Sequence, residues 1–192
     1  MPSRAAGAIM AVAGQERCGS SLVMQMLAAA GVPMTGRYPA YEDERIFDHR
    51  FYPSFVGRAV KFLDPHIGYI PEGYSFRWIW LRRNESEQAK SQVKFYTWMT
   101  KKKLRPGSER VLAKSIADDD PKCMAVLEQL GGEVLHLNFE DILSSPADAT
   151  ERIAQHLHLD AKAAKKMLHV VVMRPPECLP YMLEERLVGI KR

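Results

Sequence analysis

Short apolar segments alternate along the chain with longer segments in which apolar residues recur at helical spacing. Residues 8–13 form a continuous apolar run of strand length, and residues 59–63 and 76–81 are two further runs of this kind. A fourth strand is predicted over residues 134–139. Continuous apolar runs are typical of strands that are covered on both faces, as in a parallel sheet.

Helical patterns lie between these strands. Apolar residues recur at helical spacing from Ser20 until Gly31, a residue suited to ending a helix. Asn84 precedes a longer helix, and Glu87 completes a pair that resembles a capping box. The predicted inner face of this second helix carries Ala89, Val93, Tyr96 and Met99.

The second half of the chain predicts two more helices. One begins at residues 120–121 with a proline at its start and runs to Gly131, and another begins at residues 145–146. Residues 111–116 fit a strand or a helix equally well. Residues 35–52 show no clean period and predict a loop with short helical pieces.

Strands that alternate with helices predict an α/β fold with three layers and a central parallel sheet. No linker, repeat or low-complexity tract divides the chain, so we expect a single domain over residues 1–192 with a C-terminal tail over about residues 173–192. Ligands of such folds bind outside the carboxyl ends of the strands. Candidate residues are therefore those that follow each strand.

Composition narrows the class of protein. The chain has 192 residues, of which 46% are hydrophobic and 26% charged, which is typical of a globular protein. Its three cysteines are scattered, which favours a reducing compartment, and we predict a cytoplasmic protein with no metal site. No apolar run is long enough for a membrane span. The apolar segment after Arg4 also resembles a secretory signal, but the loop and helix that follow favour a buried strand.

The segment 14–21 joins the first strand to the first helix and has the glycine spacing of a P-loop, which makes the predicted fold P-loop NTPase-like. Ser20 stands where an ATP- or GTP-hydrolysing loop has its lysine. Successive backbone N–H groups at a helix N-terminus still suit a phosphate, and Arg17 is the candidate cation. An ordinary strand-to-helix turn with an exposed arginine is the alternative.

A second candidate anion site follows the third strand. Arg82 and Arg83 end this strand, and Ser91 lies eight residues after Arg83 on the next helix. Eight residues are a little over two helical turns, so Ser91 and the start of the helix share a side. The guanidinium of Arg83 suits bidentate contact with a phosphate.

These segments resemble the sulfotransferases that use 3′-phosphoadenosine-5′-phosphosulfate. Residues 17–22 are similar to the 5′-phosphosulfate loop of that family, and residues 81–91 are similar to its 3′-phosphate motif, although Asn84 and Glu85 replace Asp-Pro. Three weaker similarities follow in chain order. Tyr41-Glu42-Asp43 is similar to an F-E-D segment of the family, and Lys61 with Asp64-Pro65 is similar to its K-D-P element. Residues 138–146 are similar to its Y-E-D-L-L-x-x-P element.

The resemblance implies transfer of a sulfuryl group from this donor to a hydroxyl or amine acceptor, with 3′-phosphoadenosine-5′-phosphate as product. It implies that Arg17 and the loop backbone stabilise charge on the leaving group, and that Arg83 and Ser91 hold the 3′-phosphate. The implied donor-binding residues of the loop are Arg17, Cys18, Gly19, Ser20 and Ser21. The implied acceptor-binding residues are Glu42, Asp43 and Lys61.

The acceptor needs a base within hydrogen-bond reach. Asp64 is a candidate because it ends a predicted strand, and His66 is a second because histidine has the better unperturbed pKa. Cys18 lacks an identifiable base partner and is interpreted as a small loop residue.

Two other classes of function remain open. In a P-loop kinase or NTPase, Asp64 would hold magnesium, although Ser20 in place of lysine argues against that class. A non-catalytic nucleotide-binding module would keep the fold and the anion site. Nucleic acid is not an expected partner. The three lysines at residues 101–103 lie near a helix end, where cations complement the helix dipole, so they do not indicate a nucleic-acid patch.

Overall fold

The computed structural model describes residues 7–173. The predicted tail over about residues 173–192 lies outside the described residues apart from Met173, and Cys178 lies outside them as well.

The predicted parallel sheet is confirmed. Its strands are β1 (Ile9–Gly14), β2 (Ala59–Leu63), β3 (Phe76–Arg82) and β4 (Glu133–Asn138). Their order is β2-β1-β3-β4, and every pairing is parallel. In this order β2 and β3 lie on opposite sides of β1, so the chain connections leave β1 in opposite directions. A crevice forms at the carboxyl end of β1 for this reason.

Helices lie between and after the strands. The α-helices are α1 (Ser20–Ala30), α2 (Glu85–Thr100), α3 (Ser108–Leu130), α4 (Phe139–Ser144), α5 (Pro146–His156) and α6 (Ala161–Met173). Two short 3₁₀ helices, Glu44–Phe47 and His49–Phe55, occupy the predicted loop region with helical pieces. In residues 7–173 no helix has both the length and the apolar character needed to cross a membrane.

The two faces of the sheet have separate cores. Along β3, Trp78 and Trp80 pack on the face covered by Leu127 of α3. Ile79 and Leu81 alternate with them and pack on the opposite face, which is covered by α1, α5 and α6. This alternation follows from the two-residue period of a strand, and it confirms the three-layer α/β architecture.

The predicted start of the third helix at residues 120–121 is wrong. A single helix, α3, runs through Pro121 and includes residues 111–116, which are therefore helical. Ile116, Cys123 and Leu127 are buried at helical spacing on both sides of the proline. The packing of this continuous stripe against the sheet outweighs the loss of one helical hydrogen bond at Pro121.

Two further predictions need correction. Phe139 begins α4 and does not end β4. The buried face of α2 consists of Gln88, Ala89, Ser91 and Gln92, so the predicted apolar face holds only at Ala89. Met99, which was expected on that face, is 53% exposed.

The described chain ends in a helix, α6, that was not predicted from the sequence. Helix α6 buries Ala163, Met167 and Val171 at four-residue spacing and packs against α1 and α5. On α5, the Arg152 guanidinium donates a hydrogen bond of 2.8 Å to the backbone carbonyl of His136 in β4. This contact crosses the outer edge of the last strand of the sheet.

Candidate functional site

A cavity of about 430 Å³ opens at the carboxyl ends of β1 and β2. The loop between β1 and α1 forms its floor, the end of β2 forms one wall and α2 forms another. The residues that line it include Glu16, Arg17, Gly19, Ser21, Glu42, Lys61, Asp64, Phe95, Trp98 and Phe139.

Two glycines shape the loop. A Cβ at Gly14 would lie 2.6 Å from the Cys18 sulfur and 2.7 Å from the Leu81 carbonyl oxygen, so only glycine fits between β3 and the returning loop. Gly19 has a φ of +100°, and a Cβ there would overlap the Phe139 ring. Gly19 is also the cap residue of α1, and it has no side chain that could accept from the N–H groups of the first turn.

Polar side chains of α2 hold this loop in place through hydrogen bonds. Gln88 and Gln92 each donate from Nε2 to the backbone carbonyl of Glu16, at 2.8 and 3.1 Å. The Tyr96 hydroxyl donates to Glu16 Oε2 at 2.5 Å. Burial and this carboxylate raise the pKa of Tyr96 to about 12, so the phenol remains a donor at neutral pH.

Arg17 joins the loop to α2. Its Nε donates to Ser91 Oγ at 3.2 Å, and its guanidinium lies 5.1 Å from the centre of the Phe95 ring. The residue has a φ of +70°, which turns the side chain from the loop toward the helix. The first predicted cation and the serine of the second predicted anion motif are therefore in contact.

Arg83 approaches the same loop from the end of β3. This buried residue donates from Nη1 to the Arg17 carbonyl at 3.3 Å, and its guanidinium lies 4.9 Å from the centre of the Phe139 ring. The neighbouring Arg82 instead forms two hydrogen bonds with Asp120 on α3. Adjacent arginines thus face opposite sides of the sheet, as the period of a strand requires.

Lys61 reaches the cavity from the middle of β2. Its Nζ donates to Ser21 Oγ at 3.0 Å and to Glu42 Oε1 at 3.3 Å, and its side chain is only 2% exposed. Burial lowers the pKa of Lys61, and the Glu42 carboxylate opposes that shift. The three residues form a polar bridge between the loop, β2 and the segment before the first 3₁₀ helix.

Asp64 follows β2 in a left-handed conformation with a φ of +48°. Its backbone N–H donates to the Gly14 carbonyl at 3.0 Å, which holds it against the end of β1. Burial, and then the charge of Glu16, raises the pKa of the Asp64 carboxyl. Asp64 lines the cavity and is the half-buried carboxylate next to the loop.

Five predicted site residues do not line this cavity: Cys18, Asp43, His66, Arg83 and Ser91. Arg83 lies with Arg82 at a smaller cavity between the end of β3, α2 and α3. His66 faces α3, where its Nδ1 lies 3.0 Å from the Cys123 sulfur and its Nε2 lies 3.8 Å from Asp119. Asp43 caps a 3₁₀ helix and forms paired hydrogen bonds with Arg45, which lower the pKa of its carboxyl.

Cys18 is completely buried beneath the loop, and burial raises the pKa of its thiol. It therefore acts as a small packing residue of the loop. In the described part of the chain, no group of three or more histidine, cysteine, aspartate or glutamate side chains is arranged to hold a metal ion.

Several site residues carried no sequence signal that pointed to the site. Gln88, Gln92 and Tyr96 fasten the loop, and Phe95 and Trp98 form an aromatic wall of the cavity. One face of α2 carries Gln88, Ser91, Gln92 and Phe95 at helical spacing. Because a mostly polar face is usually solvated, this pattern did not indicate a buried contact with the loop.

Comparison with known proteins agrees with this architecture. A sulfotransferase from Mycobacterium avium, STF9, superposes with a TM-score of 0.57 at 11% identity over 89% of this chain and 69% of its own. The mouse sulfotransferase SULT7A1, solved with PAP, superposes with a TM-score of 0.51 at 14% identity over 84% of this chain and 63% of its own. No protein-family model and no curated protein sequence matches the chain. The chain therefore has the sulfotransferase fold, and the resemblance found in the sequence motifs is confirmed at the level of the fold.

Proposed function

We propose that the protein is a sulfotransferase that moves a sulfuryl group from 3′-phosphoadenosine-5′-phosphosulfate to a hydroxyl or amine acceptor. One observation carries the proposal: residues of two separate sequence motifs are in contact just before α1, since the Arg17 side chain donates to Ser91 and Arg83 donates to the Arg17 carbonyl. Two guanidinium groups near a helix N-terminus suit a ligand that bears more than one phosphate.

The residues present fit such a donor. The N–H groups of residues 19–21 and the Arg17 side chain would hold the 5′-phosphosulfate, and Arg83 with Ser91 would hold the 3′-phosphate. Leu22 and Phe139 line the same cavity and offer apolar surface to a nucleobase. Gly19 allows the Phe139 ring to pack directly on the loop backbone, because a Cβ at this position would overlap the ring.

Catalysis then depends on charges fixed before the reaction. The bound donor supplies an activated sulfuryl group, whose bond to the leaving phosphate breaks as the bond to the acceptor oxygen forms. Arg17 and the first turn of α1 stabilise the negative charge on the departing phosphate. One donor group of this kind typically lowers the barrier by about 3 kcal/mol.

Asp64 is our proposed base. Its raised pKa brings the carboxyl closer to the range in which a base accepts a proton efficiently, and it lies in the cavity wall next to the loop. The Lys61–Glu42 pair beside it is the proposed contact for the acceptor. The proton of the acceptor would pass to the Asp64 carboxylate.

The test measures binding and transfer separately. The thermal shift of the purified protein is recorded with 3′-phosphoadenosine-5′-phosphate and with ATP plus magnesium, at matched concentration and salt. A ligand at about 100 times its dissociation constant stabilises a protein by about 2.7 kcal/mol. We expect stabilisation by the 3′-phosphorylated nucleotide that Arg83→Ala abolishes.

Arg82→Ala is the matched control, since Arg82 is the adjacent arginine but pairs with Asp120 of α3, whereas Arg83 donates to the loop backbone. This variant should retain the shift. A response to ATP plus magnesium alone would refute the proposal in favour of a kinase or NTPase. Binding of the 3′-phosphorylated nucleotide with no transfer to any acceptor tested would identify a non-catalytic module.

A further inference from the structure

The C-terminal end of α2 and the residues that follow it form an apolar and basic surface beside the cavity. Trp98 and Met99 are 51% and 53% exposed, and Leu104 is exposed as well. Lys101, Lys102, Lys103 and Arg105 are interleaved with them, and all four are exposed. We refer to residues 98–105 as the α2 end surface.

Charge is uniform along this segment. Residues 94–108 include five lysines and arginines but no aspartate or glutamate. Helix dipoles favour cations at the C-terminus of α2, but that effect explains neither the number of cations nor the exposed tryptophan among them. Apolar side chains next to clustered cations are characteristic of segments that bind the surface of an anionic membrane.

The surface is physically connected to the cavity. Lys101 Nζ lies 5.3 Å from the centre of the Trp98 ring, and Trp98 stacks on Phe95 with ring centres 6.1 Å apart. Phe95 in turn contacts Arg17 of the loop. Since Trp98 both lines the cavity and is half exposed, the α2 end surface borders the cavity opening.

We propose that the α2 end surface docks the protein on an anionic lipid surface. The four cations bind the headgroups, and Trp98, Met99 and Leu104 enter the boundary between headgroups and acyl chains. Stable attachment to a membrane usually combines two contributions, and this surface offers both positive charge and apolar side chains. A soluble polyanion would contact the cations alone. Docking in this way does not depend on the proposed sulfuryl transfer.

One consequence does rest on the proposed function. Docking through Trp98 brings the cavity opening to the lipid surface, so the acceptor would be an amphiphile that presents its hydroxyl or amine at that surface. Nucleotide binding tests the proposed function and vesicle binding tests the docking surface, so failure of one is distinguishable from failure of the other.

Tryptophan fluorescence provides a local probe. The chain has three tryptophans, and Trp78 and Trp80 are buried in the sheet, so Trp98 is the one that a membrane can reach. The full chain is titrated with vesicles of phosphatidylcholine alone and of phosphatidylcholine mixed with phosphatidylglycerol. We expect cosedimentation and a blue shift of the emission with the anionic vesicles only, and loss of both at high salt. Trp98→Phe should abolish the blue shift.

A charge-matched pair of triple variants separates the surface from net charge. Replacing Lys101, Lys102 and Lys103 with glutamine should weaken binding to anionic vesicles by at least about tenfold. Replacing Lys162, Lys165 and Lys166, which are exposed on α6, with glutamine makes the same change in net charge and should alter binding by less than about twofold. Circular dichroism checks that both variants remain folded.

Three results would overturn the proposal. The first is no binding to anionic vesicles, and the second is equal weakening by the two triple variants. The third is binding to soluble dextran sulfate as tight as binding to vesicles, with no blue shift of Trp98, which would identify a polyanion as the partner.

Discussion

The two walls of the cavity differ in how firmly their residues are held. On the wall formed by the loop, Glu16 accepts hydrogen bonds from three side chains of α2, and Arg83 donates to the loop backbone. On the wall formed by β2 and the segment before the first 3₁₀ helix, Lys61 is fixed but its partner Glu42 has a side chain that is 67% exposed.

This difference suits the two binding tasks of the proposed reaction. A rigid wall with aligned donors loses little entropy when it binds a phosphate of fixed shape, as preorganisation requires. The looser wall, whose carboxylate at Glu42 is exposed, is able to adapt to an acceptor in the proposed reaction. Changes at the first wall should therefore alter donor binding and the rate, whereas changes at the second should alter acceptor choice.

The largest effect is expected from Gly19→Ala. An alanine in the left-handed region costs about 1–2 kcal/mol, and overlap with Phe139 adds about 1–3 kcal/mol. Gly31→Ala, at the other end of α1, is the control, because Gly31 also has a positive φ but no atom lies within 4 Å of the position that a Cβ would occupy. Urea unfolding should show a loss of about 3 kcal/mol for Gly19→Ala and about 1 kcal/mol for Gly31→Ala. Equal losses would show that the contact with Phe139 does not constrain the loop.

Next in size is Arg17→Ala. Removal of the guanidinium should lower the single-turnover rate of sulfuryl transfer by about 100-fold, since one stabilising donor is lost from the leaving group. Arg17→Lys keeps the charge but loses the Nε contact with Ser91, and should recover part of the rate. An unchanged rate in Arg17→Ala would remove Arg17 from the proposed machinery.

A smaller effect should follow from Tyr96→Phe, which loosens the rigid wall without removing a charge. Loss of its hydrogen bond to Glu16 should lower the unfolding free energy by about 1 kcal/mol and weaken binding of 3′-phosphoadenosine-5′-phosphate. Tyr52→Phe removes a comparable hydrogen bond, to the Ile46 carbonyl, away from the cavity. Calorimetric titration should find nucleotide affinity unchanged in Tyr52→Phe; a parallel loss in both variants would mean that α2 does not hold the loop for binding.

Asp64→Asn should have the smallest effect on stability, and in the opposite direction. Because the native pKa of Asp64 is raised, its contribution to stability is fully present below the unfolded value of 3.8 and is lost as pH rises through the native pKa. Asparagine does not ionise, so the variant should become more stable than the parent protein as the pH rises from the unfolded to the native pKa of Asp64. Sulfuryl transfer by the variant should be slower than transfer by the parent protein. Urea unfolding at acidic and neutral pH measures the difference, with the exposed Asp118→Asn as control. A difference that does not vary with pH would contradict the burial of this charge.

The strands and the loop could be predicted because their signals are local. An apolar run predicts β1 whatever packs on it. Gly14 is required by the close approach of the Leu81 carbonyl, and Gly19 by its positive φ and the nearby Phe139 ring. Arg83 and Ser91 were predicted to share a side because eight residues are a little over two helical turns, and the structure places both in contact with Arg17.

The fastening of the loop could not be predicted because it depends on tertiary contacts. Gln88 and Gln92 form the buried face of α2 because that face meets the Glu16 carbonyl, and a buried polar face has the sequence pattern of a solvated one. His66 was predicted as a base because histidine, as a residue type, has the more suitable unperturbed pKa. The left-handed turn at Asp64 leads the chain toward α3, where His66 meets Cys123.

The contact between Arg152 and the His136 carbonyl has a consequence for solubility. In residues 7–173, β4 pairs with β3 alone, so its outer edge offers backbone groups to which a strand of another molecule could add. Arg152 occupies one carbonyl of that edge and brings a positive charge to it. A second molecule would have to displace this guanidinium before its own strand could pair there, and the sheet is thereby protected from edge-to-edge aggregation.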